Sequence, residues 1–338
     1  MDQVRIGLIG AGRIGRVHGG NLAHLIPEAR LIAVADVMEG AAKKLAADFG
    51  IPHVYTDPSA IFESKEIDAV VVCSSTATHA QMLHDAAVAK KHIFCEKPIA
   101  LDLERIDRAL AAVQQAGVKL QIGFNRRFDP SFRRVHDVVA SGKIGRAHIL
   151  RITSRDPAPP PLAYVKVSGG IFLDMTIHDF DMARYQVGEV DEVYAAGNVL
   201  VDPEIGNAGD IDTAVVTLKF VNGALGVIDN SRQAVFGYDQ RVEVLCSNGM
   251  AAADNKFPDT FTLSDANSIS TSLPLNFFME RYAESFVAEM KAFVTSIVED
   301  KTPPVTGIDG RIPVVMGIAA KMSYAEKRPV KLSEVDHV

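Results

Sequence analysis

The apolar positions in the first third of the chain follow two alternating patterns: short, nearly continuous runs, and longer segments with apolar residues three and four apart. Continuous runs rich in β-branched residues read as parallel strands buried on both faces, and the longer segments read as the helices that cover them. Strands are predicted over 4–9, 30–35, 67–73, 92–95 and 119–122. Helices are predicted over 13–25, after Asp36 to a stop at Gly50, from Thr76 or Thr78 to Lys90, and over 103–116 to a stop at Gly117. This is βαβ repetition, and it predicts an α/β Rossmann doubly wound parallel sheet over residues 1–122.

Beyond residue 122 the pattern changes. A helix over 129–141 is followed by alternating segments at 147–154, 192–200, 213–220, 224–229 and 241–246, with turn signals at Asn222-Gly223 and Ser247-Asn248-Gly249. Strand after strand predicts an α+β domain over 123–338 with a large open, mainly antiparallel sheet, closed by amphipathic helices over 279–299 and 307–327. One sheet face is left to meet the first domain or another subunit, so substrate binding and oligomerisation are expected of this half. The run Pro157-Ala158-Pro159-Pro160-Pro161 reads as a stiff loop.

The first strand breaks into Gly10-Ala11-Gly12-Arg13-Ile14-Gly15, the pattern G-x-G-x-x-G. Gly10 permits a tight turn, Gly12 lets backbone approach a pyrophosphate, and Gly15 lets the helix press on the strand, with helix N–H groups meeting the phosphates. Asp36 ends the next strand roughly 20 residues beyond Gly15, where a carboxylate accepts from ribose hydroxyls. Val37 follows with no arginine beside it, so a 2′-phosphate would face an unscreened carboxylate, and NAD is favoured over NADP. The competing reading makes Asp36 a cap for the following helix. Ser74, Ser75, Thr76, His79, Glu96 and Lys97 fall at or just beyond strand ends, the ligand edge of such a sheet. With Gly10, Gly12, Arg13, Ile14, Gly15, Asp36 and Val37 they form the expected cofactor set.

Two constellations could carry chemistry. Lys97, in Glu96-Lys97-Pro98, stands where an ammonium could stabilise a developing oxyanion, although most lysines are simply solvated. In Gly169 to Asp181, Asp174, His178 and Asp181 are spaced i, i+4 and i+7, which puts them on one face of a helix anchored by Phe172, Leu173, Ile177 and Phe180. A neutral imidazole beside a carboxylate is a general base with its orienting acid. A core histidine, a capping Asp174 and a metal site compete with that reading. No metal is expected, because no second histidine is near and alcohol oxidation with a lysine present needs none.

Composition narrows the classes further. The chain has 338 residues, 48% apolar and 23% charged, with net charge -7, which argues against nucleic acid or an anionic membrane as a partner. Cys73, Cys95 and Cys246 each lie in a strand-like run and read as buried, reduced residues. With no leader-like opening and no apolar run of about 18 residues, a cytoplasmic protein is expected.

G-A-G-R-I-G, C-E-K-P and G-G-x-x-x-D-x-x-x-H-D-x-D resemble, in order and spacing, the signatures of the glucose–fructose oxidoreductase and inositol dehydrogenase (Gfo/Idh/MocA) family. Asn125-Arg126-Arg127-Phe128-Asp129, Ser154-Arg155-Asp156-Pro157 and Phe236-Gly237-Tyr238-Asp239 are similar to cyclitol-binding segments of its inositol-oxidising members. The resemblance implies Lys97, Asp174 and His178 as the catalytic trio, Arg127, Asp156, Asp181 and Tyr238 as polyol contacts, NAD as cofactor and a homo-oligomer, a tetramer. It departs at Asn125, apolar in some members, and at Asp156, Asn in some. The implied reaction is NAD-dependent oxidation of a ring hydroxyl of myo-inositol or a close cyclitol. An aldose or scyllo-inositol dehydrogenase and a non-catalytic dinucleotide-binding regulator are the alternatives.

Overall fold

In the computed structural model, which describes residues 3–336, β1 (Val4–Ile9), β2 (Ala29–Ala35), β3 (His53–Tyr55), β4 (Ala69–Val72), β5 (His92–Glu96) and β6 (Leu120–Gly123) form one sheet in the order β3-β2-β1-β4-β5-β6. Every pairing in it is parallel. The helices α1 (Arg13–His24), α2 (Glu39–Phe49), α3 (Ser59–Glu63), α4 (Thr76–Val88) and α5 (Leu103–Ala116) connect the strands, so the first segment builds the expected doubly wound Rossmann sheet. β4 is buried at every position, as a strand covered on both faces requires. β3 and α3 left no signal, because three half-exposed residues and one helical turn make no apolar pattern.

The chain forms two compact units, and neither is continuous in sequence. The first holds the chain up to Phe128 together with Glu284–Val314; the second holds Asp129–Ala283 and the chain from Val315 on. A single cut after residue 122 makes no provision for the return of a late segment to the first unit. That segment includes α12 (Ala283–Val298), whose Met290, Phe293, Val294 and Ile297 share a core with Val4, Leu8, Val71 and Phe94. An amphipathic helix carries no mark in its own sequence of which sheet it covers.

In the second unit, α6 (Pro130–Ala140) starts on Asp129, whose carboxylate accepts from the Ser131 and Phe132 amides, with proline at the first helical position. The strands β7 (Ala147–Arg155), β8 (Val190–Asn198), β9 (Thr213–Phe220), β10 (Leu225–Ser231), β11 (Asp239–Cys246), β12 (Gly249–Ala253) and β15 (Val330–Lys331) form a sheet in the order β12-β11-β7-β10-β9-β8-β15. It is antiparallel except for β7 and β10, which run parallel. Both predicted hairpin turns are present, joining β9 to β10 and β11 to β12. β13 (Thr262–Ser264) and β14 (Ile269–Thr271) make a separate exposed hairpin.

Alternation along these strands sorts the two faces. Leu150, Ile152, Val216, Leu218, Val242 and Val244 are buried, while Ile149, Tyr194, Val215, Leu225 and Leu245 are exposed on the other face. The short helices α7 (Leu162–Val165), α8 (Ile171–Asp174), α10 (Pro203–Asn207) and α11 (Phe278–Arg281) accompany α9 (Thr176–Val187), which packs on β7 and β10. The segment predicted as one helix over 279–299 is two, α11 and α12, parted at Tyr282. α13 (Gly307–Glu326) belongs to the first unit up to Val314 and to the second beyond it. The three cysteines are buried and unbridged, and among the described residues no helix is long and apolar enough to cross a membrane.

Candidate active site

The glycine loop connects β1 to α1 as its spacing requires. Gly10 has φ +99°, and a methyl group there would fall 2.6 Å from the Cys73 carbonyl oxygen; one at Gly15 would fall 2.0 Å from the Gly10 oxygen. Gly12 differs. A methyl there meets no heavy atom within 4 Å, so its missing side chain leaves space at the N-terminus of α1 rather than relieving a clash. Arg13 and Ile14 open that helix.

Asp36 follows β2, with Oδ2 accepting from the Ala11 amide at 2.6 Å and Oδ1 from the Met38 amide at 2.8 Å. It ties the glycine loop to the loop after β2 and does not cap α2, whose N-cap is Met38. Each carboxylate oxygen has two lone pairs, so acceptor capacity remains for hydroxyls. Beside it Val37 and Met38 are 84% and 68% exposed, an apolar surface at the strand ends. These features fit an adenosine diphosphate moiety: open space over Gly12, helix amides, and a carboxylate one strand away.

Ser74, Ser75 and Thr76 join β4 to α4, and Ser74 Oγ lies 2.7 Å from Thr78 Oγ1. Two residues expected at the ligand edge turn into the protein instead. His79 is buried, with Nδ1 2.8 Å from the Pro98 oxygen and Nε2 3.0 Å from the Ser74 oxygen, and burial lowers its pKa. One turn into α4, it braces two strand ends. Glu96 is bound to His18 Nε2 of α1 at 2.7 Å, and a methyl at Gly123 would touch its Oε2 at 3.0 Å. Lys97, half-buried, follows it at the end of β5. Among the described residues, donor atoms of His18, Glu96 and Glu289 lie within 4.8 Å of one another, close enough to share a cation, but the His18–Glu96 hydrogen bond already engages two of them. Arg127 Nη2 donates to Asp309 Oδ1 at 3.0 Å, which fixes it within the first unit.

The second unit carries the remaining candidates. Asp174 and His178 do not share one continuous helix: α8 ends at Asp174, the ladder breaks at Met175 (φ -94°, ψ -60°), and α9 begins at Thr176. Residues not singled out from the sequence hold this junction. The Thr176 hydroxyl donates to Asn230 Oδ1 at 2.6 Å, and Asn230 Nδ2 donates to Asp179 Oδ2 at 2.8 Å and to the Ser154 oxygen at 3.2 Å. The buried network pins the first turn of α9, and so His178, to β7 and β10. The Tyr164 hydroxyl donates to Asp174 Oδ1 at 2.7 Å and Arg232 Nη1 to Asp174 Oδ2 at 3.2 Å.

Burial first, then Asp174, and more weakly Asp156, push the Tyr164 phenol well above its ordinary pKa, so these two acids share one neighbourhood. Asp181 is fully buried on α9. Tyr238 is buried edge-on to Tyr282, with ring centroids 6.0 Å apart. Asn230 and Arg232 lie far from the motif in sequence, and Tyr164 stands just before it, outside its pattern. The only hint toward any of them is the proline-rich loop that delivers Tyr164 to α7.

Comparison with known proteins agrees with this architecture. Residues 4–124 match the family model for an oxidoreductase family with an NAD-binding Rossmann fold, and residues 132–252 match that for the GFO/IDH/MocA C-terminal domain. A myo-inositol 2-dehydrogenase of Thermotoga maritima is 53% identical, with 98% of this chain and 99% of that protein covered. An inositol 2-dehydrogenase of Rhizobium meliloti is 44% identical over 98% of this chain and 99% of its own. Among solved structures, the scyllo-inositol dehydrogenase of Lactobacillus casei with bound NAD(H) and scyllo-inositol superimposes with a TM-score of 0.92 at 32% identity, covering 98% of this chain and 99% of that one.

Proposed function

The chain belongs to the GFO/IDH/MocA oxidoreductase family, and from that premise we propose that it oxidises a ring hydroxyl of myo-inositol, or a close cyclitol, to the ketone with NAD. It is an NAD-dependent oxidoreductase acting on CH–OH groups. The observation that carries the cyclitol reading is the cluster on the second unit, where Asp174, bound by Tyr164 and Arg232, precedes a helix turn that carries His178. An acid and an imidazole with hydroxyl-binding groups around them suit a polyol.

NAD, when bound, supplies the hydride acceptor. Gly12, Arg13 and Ile14 would hold its phosphates, and Asp36, with Val37 beside it, would hold the adenosine ribose. In this reading His178 accepts the proton of the reacting hydroxyl, Asp174 stabilises the imidazolium that results, and the Lys97 ammonium stabilises negative charge on the oxygen. Arg127, Asp156, Asp181 and Tyr238 bind the other hydroxyls. Each hydrogen bond that a wrong isomer fails to make leaves a buried group unpaired, at a cost of roughly 1–3 kcal/mol, so isomer choice is expressed in kcat/KM. The scyllo-inositol relative supports a second substrate for the same chemistry.

The exposed face of the second sheet supports a homo-oligomer, a tetramer as the family resemblance implies, and the buried, unbridged cysteines support a reducing compartment, the cytoplasm. The test of the catalytic reading is His178→Ala assayed by NADH formation with myo-inositol and scyllo-inositol. Loss of turnover by at least about 100-fold is expected; turnover near wild type removes His178 as the base.

A further inference from the structure

Arg232 is 1% exposed, and among the described residues one of its five donors makes a hydrogen bond to a carboxylate, Nη1 to Asp174 Oδ2 at 3.2 Å. Among the described residues Nε and Nη2 have no hydrogen-bond partner, and Asp210 Oδ2, at 3.7 Å from Nη2, is too distant to be one. A guanidinium so poorly satisfied is a costly way to fill space, since an apolar side chain of the same volume is often at least as stabilising. Its placement is more readily explained by what it does to its neighbours. Asp210 Oδ1 accepts from the Ile171 amide at the start of α8, and Asp174 ends α8, so Arg232 lies between the two carboxylates that bracket this four-residue helix.

We propose that Arg232 is a positioning residue for the proton-accepting pair: it holds the Asp174 carboxylate in one orientation, while the Tyr164 hydroxyl holds the other oxygen, so that His178 works against a fixed acid whose charge the guanidinium partly offsets. The inference rests on the reading of His178 as the base. The groups facing Asp174 include Tyr164 from α7, Arg232 just after β10 and, at one remove, Asp156 after β7 and Asp210 before β9. On α9 itself, Asp179 is bound to Asn230, and Asp181 is buried. With the guanidinium present, the negative charge that favours the imidazolium is partly cancelled, and His178 stays neutral to lower pH. With it removed, the imidazolium is favoured and the base is protonated up to a higher pH.

The experiment is the pH dependence of kcat/KM for myo-inositol oxidation in wild type, Arg232→Met, Arg232→Lys and Tyr164→Phe, with folding checked by thermal melts. Arg232→Met is expected to move the acidic limb up by about one pH unit. Arg232→Lys keeps the charge and should leave the limb in place while kcat falls. Tyr164→Phe, at a half-exposed ring, should lower kcat about tenfold with the KM for NAD unchanged. An acidic limb in Arg232→Met that stays at its wild-type pH or moves lower overturns the proposal. If that variant does not fold, wild-type kcat in Tyr164→Phe overturns it. His178→Ala separates the two failures: if it keeps turnover, the catalytic reading fails, whereas if it loses turnover and the limb is unmoved, only this inference fails.

Discussion

His18 Nε2 lies 2.7 Å from Glu96 Oε1, a hydrogen bond between the helix that follows the glycine loop and the strand end that carries Lys97. His18 is wholly buried, edge-on to Phe94 and Phe286, so the bond is shielded from water and stronger than a surface one. Glu289 of α12 approaches the same imidazole at 3.9 Å, and among the described residues neither of its oxygens has a hydrogen-bond partner. The dinucleotide end of the sheet and the lysine end are thus joined through one buried cluster.

That cluster makes stability depend on pH. Burial, then the nearby Glu96, pushes the Glu289 carboxyl well above its ordinary range, so the folded protein keeps a proton that the unfolded chain releases above about pH 4.3. Its contribution therefore becomes less favourable as pH rises from there toward the folded-state pKa. Glu289→Gln removes the ionisation and should raise Tm at pH 8 by about 3 °C or more, with the gap closing near pH 4. Melting curves across pH test this; a gap that does not vary with pH would count against it.

The glycine loop separates folding from binding. Gly12→Ala adds a methyl to open space and should leave Tm within about 1 °C while raising the KM for NAD tenfold or more. Gly15→Ala drives a methyl into the Gly10 carbonyl and should cost more than about 3 kcal/mol of stability. Thermal melts with and without NAD distinguish the two; equal losses of stability would refute the division.

Asp36 accepts two backbone amides and is expected to reject a 2′-phosphate. Asp36→Ala should lower kcat/KM with NAD by about tenfold or more and raise the NADP-to-NAD ratio. Parallel kinetics with both cofactors measure it. An unchanged ratio would assign Asp36 to loop structure alone.

Ile149 and Leu225 are partners in register on β7 and β10, both on the exposed sheet face. If that face joins subunits, Leu225→Glu should lower the mass measured by light scattering while leaving each chain folded, because a buried unpaired carboxylate is costly at an apolar interface. Unchanged mass would move the interface elsewhere.

The sequence alone determined the parallel sheet and its ligand edge, because short buried strands, turn glycines and strand-end acids act through neighbours only a few residues away. It also determined which residues carry the signatures, down to Lys97, Asp174 and His178. Tertiary structure decided what holds those residues. It put Arg232, Tyr164 and Asn230 around the junction at Met175, turned Glu96 and His79 inward, and brought α12 back to the first sheet. Most of these relations span tens to hundreds of residues, and all follow from packing and the need to partner buried polar groups. No local pattern of apolar and polar positions encodes them.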